Sequence, residues 1–246
     1  MPTHAARYRG SEPPVQNELV IVSNFFTRVR RIRSQVGQIG TAFVLEVDGG
    51  DYLVTARHLL PEGSGPFRVE LDGYDLTSRD LYVDPLPGLP DEADVAVSLL
   101  HESLGQTFPA TPSLDGMQFG QDCYFLGYPY GLGLGGDLNP QMAFVKKAIL
   151  SATDRQGGIH RLYLDGHNNP GFSGGPVVFY RDGDLGKPCI AGVVSAYRVQ
   201  EDTVLVAGRE LPNTVVQTNS GIVIAIEIGH VLAVIRGQPT TWPEPE

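Results

Sequence analysis

The sequence predicts an all-β fold of two antiparallel barrels, and three observations carry that prediction. Glycine and proline are frequent, 30 and 19 in 246 residues. Aromatic and β-branched residues recur in short runs between those turn formers, the pattern of many short strands rather than of long helices. The length suffices for one large domain or two small ones with a real buried core, and a double barrel fits that size.

Taken in order, residues 1–14 are polar and proline-bearing and read as a loose arm. Val15, Leu19, Val22, Phe26 and Val29 then recur at three- and four-residue spacing, which predicts a short amphipathic helix; a strand beginning near Thr27 is the alternative. From Gly37 the pattern becomes that of strands: Ile39 to Val47, an Asp48-Gly49-Gly50-Asp51 turn, and Tyr52 to Thr55, where Asp-Gly between apolar runs marks a hairpin. Phe67 to Leu71 and Leu76 to Val83 follow, then a proline-rich loop over 85–90 and a strand Val95 to Leu100. These give an N-terminal arm and helix over 1–26, a first barrel over 27–104 and a linker over 105–118. The second barrel, 119–246, takes strands at Phe119 to Leu126, Met142 to Thr153, Ile159 to Asp165, Pro176 to Tyr180, Cys189 to Tyr197, Thr203 to Ala207 and Thr214 to Ile226. Ile228 to Ile235 reads as a closing helix before a proline-rich tail.

A formal charge of −10 argues against a nucleic-acid or anionic-membrane partner, because either needs basic patches against phosphate. The one basic cluster, Arg28, Arg30, Arg31 and Arg33, reads as a solvated face. No stretch approaches the ~20 apolar residues of a membrane span, and the first twenty residues hold no apolar core of a signal peptide; a soluble protein is expected. Cys123 and Cys189 sit in apolar strand-like contexts, as buried free thiols do. His4, His101, His160, His167 and His230 show no metal-ligand spacing, so neither a metal nor another cofactor is expected. Gly131 to Gly136 lacks the strand, helix and lysine of a P-loop and reads as a mobile loop near a substrate cleft.

The chemistry centres on Asn168-Asn169-Pro170-Gly171-Phe172-Ser173-Gly174-Gly175-Pro176. Two prolines without donors and three glycines cannot continue a helix or a central strand, so this is a tight loop feeding the strand that follows. Such a loop can aim successive backbone N–H groups into one concavity beside a nucleophilic hydroxyl, which acyl transfer requires; taken alone it is equally a glycine-rich turn with a solvated serine. Upstream, His58 lies just past the strand ending at Thr55, and Asp94 precedes Val95 to Leu100. A serine needs a base, and the base needs an acceptor to fix its tautomer; His, Asp, Ser in that order is one known arrangement of the triad.

Six blocks in the right order carry a resemblance: Gly40-Thr41-Ala42-Phe43-Val44, Thr55-Ala56-Arg57-His58, Asp94-Val95-Ala96-Val97, Gly127-Tyr128-Pro129-Tyr130-Gly131-Leu132, Asn169 to Pro176, and Gly221-Ile222-Val223-Ile224-Ala225-Ile226. The sequence resembles trypsin-like, chymotrypsin-fold serine peptidases, and more narrowly the bacterial HtrA/Deg-type peptidase domain. The resemblance implies two six-stranded antiparallel barrels with a short N-terminal and a C-terminal helix. It implies a serine endopeptidase working through an acyl-enzyme on protein or peptide substrates, with Ser173 as nucleophile, His58 as base and Asp94 as its acceptor. The oxyanion hole falls to the N–H groups of Gly171 and Ser173, and substrate binding to His167, Ser195, Ala196 and Tyr197, with Ser195 also bonding Asp94. Where relatives with basic specificity carry an aspartate this chain has His167, so arginine and lysine are disfavoured; a small apolar residue before the scissile bond is expected first, an acidic one second. Cys123 falls at half of a disulfide of secreted relatives whose partner position here is Phe179, which implies reduced thiols and a cytoplasmic setting. Phe172 stands where secreted relatives have aspartate and HtrA types usually have asparagine. That departure, with Arg57 before the histidine, leaves a second reading open, a peptide-binding module on a catalytically resting scaffold, and a third in which a regulatory partner or domain switches the enzyme on.

Overall fold

The protein is represented by a computed structural model that describes residues 23–74, 76–105, 108–132, 142–181 and 187–238. Hairpins build its first half. Strands β1 (Val29–Ser34), β2 (Ile39–Val47) and β3 (Gly50–Thr55) form a meander, and the β2–β3 connection is the pair Asp48-Gly49, both at positive φ (51° and 82°). That is the two-residue turn whose twist matches the flanking strands, which is why Asp-Gly marks it in the sequence. With β4 (Phe67–Gly73), β5 (Leu76–Val83) and β6 (Ala96–Leu99) the sheet runs β5-β4-β1-β2-β3-β6. A bridge between Pro85 and Ser98, with the Leu86 N–H on the Val97 carbonyl at 2.7 Å, brings the two ends together. Ile32, Val44, Leu53, Val69, Leu71 and Ala96 fill the interior.

The helical spacing read across Val15 to Val29 is met, from Ser23 onward, by a 3₁₀ segment Ser23–Arg28, and Val29 already belongs to β1. Val15, Leu19 and Val22 lie outside the described residues. The arginine run is not a solvated face. Arg28 and Arg30 are 2% and 0% exposed, and their guanidinium groups donate inward, Arg28 to the carbonyls of Val44 (2.8 Å) and Phe108 and Arg30 to that of Leu104 (2.9 Å). Burial pulls Arg28 down to about 10, against the opposing charges of Glu46 and Asp51. Arg31 pairs with Asp72, and only Arg33 is a conventional surface charge. A buried carbonyl needs a donor, and a long side chain lying under its own sheet supplies one where no strand does.

The second sheet takes β7 (Thr111–Pro112), β8 (Asp122–Gly127), β9 (Phe144–Gln156), β10 (Ile159–Asp165), β11 (Pro176–Tyr180), β12 (Pro188–Val206) and β13 (Arg209–Glu227) in the order β11-β8-β9-β10-β13-β12-β7. A further β11–β12 pairing closes six of these strands into a ring, and β7 lies parallel against Cys189 and Ile190. The three strands expected over 189–226 are two, 19 residues each, joined at Ala207-Gly208 with positive φ at both positions (50° and 77°). The polar stretch Arg198 to Asp202 reads as a break by composition, yet a ribbon in solvent accommodates such side chains; Asp202 accepts from Gln200 on its own strand and from Thr218 across the ribbon.

Helix α1 (Ile228–Ile235) buries Ile228, Val231 and Val234 in an apolar cluster shared by both sheets, with Phe43, Val54 and Val97 from the first and Leu126, Val178 and Ile226 from the second. That shared core fixes one sheet against the other and thereby sets the cleft between them. Cys123 and Cys189 are buried and not bridged by a disulfide, and burial, then Asp122, pushes the Cys123 thiol up to about 12. Among the described residues no helix is long and apolar enough to cross a membrane.

Candidate active site

Ser173 owes its position to a loop fixed from both halves of the molecule. Gly171 and Gly174 have φ of +106° and +84°, and a Cβ at either would lie 2.2 Å from the Tyr128 carbonyl oxygen or 2.0 Å from that of Thr41. Only glycine fits either position. Thr41 of β2 ties the loop to the first sheet. Its N–H donates to the Ser173 carbonyl (2.8 Å), its hydroxyl donates to the Gly171 carbonyl (2.6 Å), and the same oxygen accepts the Tyr128 N–H (3.1 Å). On the other side Gly174 N–H donates to Val194 (2.7 Å) and Val194 N–H to Gly175 (2.8 Å). The carbonyls from Asn169 to Ser173 all accept a backbone N–H or the Thr41 hydroxyl, whereas no group among the described residues accepts from the N–H of Gly171 or Ser173.

Opposite that loop, His58 sits in the short turn Arg57–Leu59 after β3, and Asp94 lies between Ala93 and the start of β6. Asp94 Oδ1 accepts the His58 backbone N–H at 2.9 Å, and its two oxygens lie 3.1 and 2.9 Å from His58 Nδ1. Ser195 Oγ donates to Asp94 Oδ2. Burial pushes the Asp94 carboxyl up, but bonds from the His58 ring, the Ser195 hydroxyl and the His58 backbone N–H outweigh it and leave it below the ordinary value. Asp94 holds φ of +37°, uncommon for a residue with a side chain, and the Arg57 N–H on its carbonyl (3.2 Å) helps to keep it there. With Asp94 facing Nδ1, the favoured neutral tautomer carries its proton on Nδ1 and leaves Nε2 as the basic nitrogen.

Ser173 Oγ donates to the Ser195 carbonyl at 3.1 Å, so Ser195 touches both the acid and the hydroxyl. No hydrogen bond joins His58 to Ser173 among the described residues. Of the other candidates, His167 is exposed and presents its carbonyl to Lys146 Nζ at 2.6 Å, while the Ala196 carbonyl accepts from Asn168 Nδ2 at 3.4 Å. Tyr197 pairs with Val223 on β13. A cleft of about 650 Å³ opens beside His58, lined by Val36, Gln38, Leu60 and Glu62 among others. Arg57, unusual in the sequence, spans the carbonyls of Leu60, Pro61 and Gly63 and lies 5.6 Å from the Phe67 ring centre, stitching that wall together. Nothing in the sequence marks Lys146 as part of this site, whereas Thr41, a threonine inside an otherwise apolar strand run, is legible as a polar group aimed at a partner. Of the glycine cluster read as a mobile loop, Gly133, Gly135 and Gly136 lie outside the described residues. Among the described residues no group of three or more His, Cys, Asp or Glu could hold a metal ion.

Two barrels with a serine-bearing glycine loop in one, and a histidine against an aspartate in the other, define the class of double-barrel serine peptidases. The family model for the trypsin-like peptidase domain matches residues 40–185, and the chain belongs to that family as a trypsin-like serine endopeptidase. No curated protein matches the sequence. Among solved structures it is similar to Rv3671c of M. tuberculosis H37Rv in an inactive mutant form, with 20% identity over 96% of this chain and 98% of that one and a TM-score of 0.57. It is also similar to the HtrA-type protease AlgW with a tripeptide, at 21% identity over 88% of this chain and 63% of that one (TM-score 0.56). A serine endoprotease from Yersinia pestis matches at 20% over 89% and 68% (TM-score 0.56).

Proposed function

We propose that the chain hydrolyses peptide bonds in protein substrates through an acyl-enzyme, with Ser173 as nucleophile, His58 as general base and acid, and Asp94 as the group that orients His58. In this reading a first barrel, 27–104, supplies His58 and Asp94, and a second, 119–246, supplies Ser173 across a connection at 105–118. The observation that carries it is the chain of contacts from His58 Nδ1 through Asp94 and Ser195 to Ser173 Oγ. The hydroxyl swings from the Ser195 carbonyl toward Nε2, gives its proton to His58, and Oγ bonds to the substrate carbonyl carbon. The N–H groups of Gly171 and Ser173, which have no acceptor among the described residues, take the resulting oxyanion. As the intermediate collapses, the C–N bond breaks and His58 returns the proton to the leaving amine; water then repeats the sequence on the acyl-enzyme.

Substrate would lie along Ser195 to Tyr197 as an added strand, with the side chain before the scissile bond against His167 and Asn168. No carboxylate stands at position 167, which supports a small apolar residue there first and an acidic one second. The Ser173 hydroxyl resting on the Ser195 carbonyl rather than on His58 favours a second reading, a peptide-binding module, or an enzyme waiting for a regulatory partner. One experiment separates them. A fluorophosphonate should label wild-type protein and leave Ser173→Ala unlabelled, and denatured casein should be cut; casein retained without cleavage, with no labelling, would support binding alone.

A further inference from the structure

The geometry points to Lys146 as a positioning residue: with Phe172 it holds the turn from Asn169 to Phe172 in the shape that leaves the N–H groups of Gly171 and Ser173 available to a substrate oxygen. This rests on the hydrolytic reading above. Phe172, immediately before the nucleophile, is fully buried and meets Phe125 of β8 edge-on, with ring centres 5.0 Å apart at 72°. Its seat has no slack, because a Cβ at Gly127 would lie 2.7 Å from the ring. Lys146 of β9, in register with Phe125, places Nζ 5.3 Å from the centre of the same ring. That ammonium also donates to the His167 carbonyl at 2.6 Å and to Asn169 Oδ1.

One cation therefore joins three parts of the site: the aromatic anchor of the loop, the wall at 167, and the first residue of the turn. Asn169 in turn accepts the Phe172 N–H on its carbonyl (3.3 Å) and donates from Nδ2 to the Tyr130 hydroxyl (3.4 Å). The Tyr130 N–H holds the Pro170 carbonyl at 2.7 Å. Every carbonyl of the turn is thus engaged while the two N–H groups are not, and the Asn169 side chain is held by Lys146 at Oδ1 and by Tyr130 at Nδ2. An aromatic anchor under a lysine does here, without a buried carboxylate, the work of ordering this turn. Charge-assisted bonds and a cation over a ring face are directional, so the shape survives only with a cation at this position.

The test compares Lys146→Met, Lys146→Arg and Ser173→Ala with wild type by fluorophosphonate labelling, separating the maximal inactivation rate from the concentration for half-maximal rate, alongside thermal unfolding. Lys146→Met keeps the aliphatic stem and should slow the maximal rate about tenfold or more, as loss of oxyanion geometry does, with the half-maximal concentration within about threefold. Lys146→Arg should recover most of the rate, and the melting temperatures of both should stay close to wild type. Equal rates in wild type and Lys146→Met, or equal loss in Met and Arg variants, would overturn the inference while leaving Ser173 as nucleophile intact. An unlabelled wild type would overturn the hydrolytic reading and this inference with it. If Lys146→Met does not fold, Lys146→Gln, a donor without the charge, carries the same comparison.

Discussion

The Ser173 loop and the ribbon formed by the outer halves of β12 and β13 both turn at a glycine of positive φ, yet they obey different rules. Gly174 and Gly208 have nearly the same φ, +84° and +77°. A Cβ at Gly174 would meet Thr41 O at 2.0 Å, Thr55 Oγ1 at 2.5 Å and Ala56 N at 2.8 Å, whereas at Gly208 nothing lies within 4 Å. The loop is locked because two sheets close on it. The ribbon leaves Val199, Leu205, Val206, Leu211, Val215 and Val216 exposed, with its polar bonds made locally between its own strands. Backbone strain alone is a small cost; strain inside a filled space is a large one.

Breaking the loop should therefore have the largest effect. Gly174→Ala is expected to cost more than about 4 kcal/mol, through overpacking against backbone atoms that cannot retreat in addition to the unfavourable φ. Urea denaturation reads the first consequence and fluorophosphonate labelling, which should disappear, the second.

Asp94→Asn comes next. Asparagine tolerates the positive φ, so the variant removes the charge with little change of backbone, and should cost about 1–3 kcal/mol at pH 7 and slow labelling about 10³- to 10⁴-fold. Its pH dependence has a definite sign. Because the folded carboxyl lies below its unfolded value, the contribution of Asp94 is complete above about pH 4 and declines as pH falls through the lower folded value. The stability gap between wild type and Asp94→Asn should hold from pH 6 to 5 and narrow below 4. A gap that widens on acidification would mean that the folded carboxyl is raised instead.

Gly208→Ala should cost only about 1 kcal/mol, the price of φ without a clash. Leu205→Ser and Val216→Ser, on exposed ribbon positions, should stay within about 0.5 kcal/mol of wild type in chemical denaturation. If instead they matched Gly174→Ala, the ribbon would be as packed as the loop and the contrast between the two would fail.

Much of this was legible beforehand because it depends on neighbours along the chain. Short apolar runs bounded by Asp-Gly and proline-glycine stretches marked the strands, since turn geometry is a local property, and Ile228 to Ile235 forms the helix its pattern predicts. Gly-x-Ser-Gly marked the loop because glycine is the residue that tolerates positive φ. Contacts made across the fold were not legible. The arginine run looked like a solvated face because charge is visible in a sequence, whereas the carbonyls of Val44, Leu104 and Phe108 that receive Arg28 and Arg30 come together only once the first sheet closes. The ribbon was broken in two by its composition, because nothing in a polar pentapeptide reveals that its partner strand runs alongside. Residue identities alone determined the strand-and-turn grammar and which side chains were chemically able to meet. Tertiary structure decided the rest, placing Lys146 over the Phe172 ring, Thr41 against the loop, and Ser195 between Asp94 and Ser173, because these contacts join residues 22 to 132 positions apart.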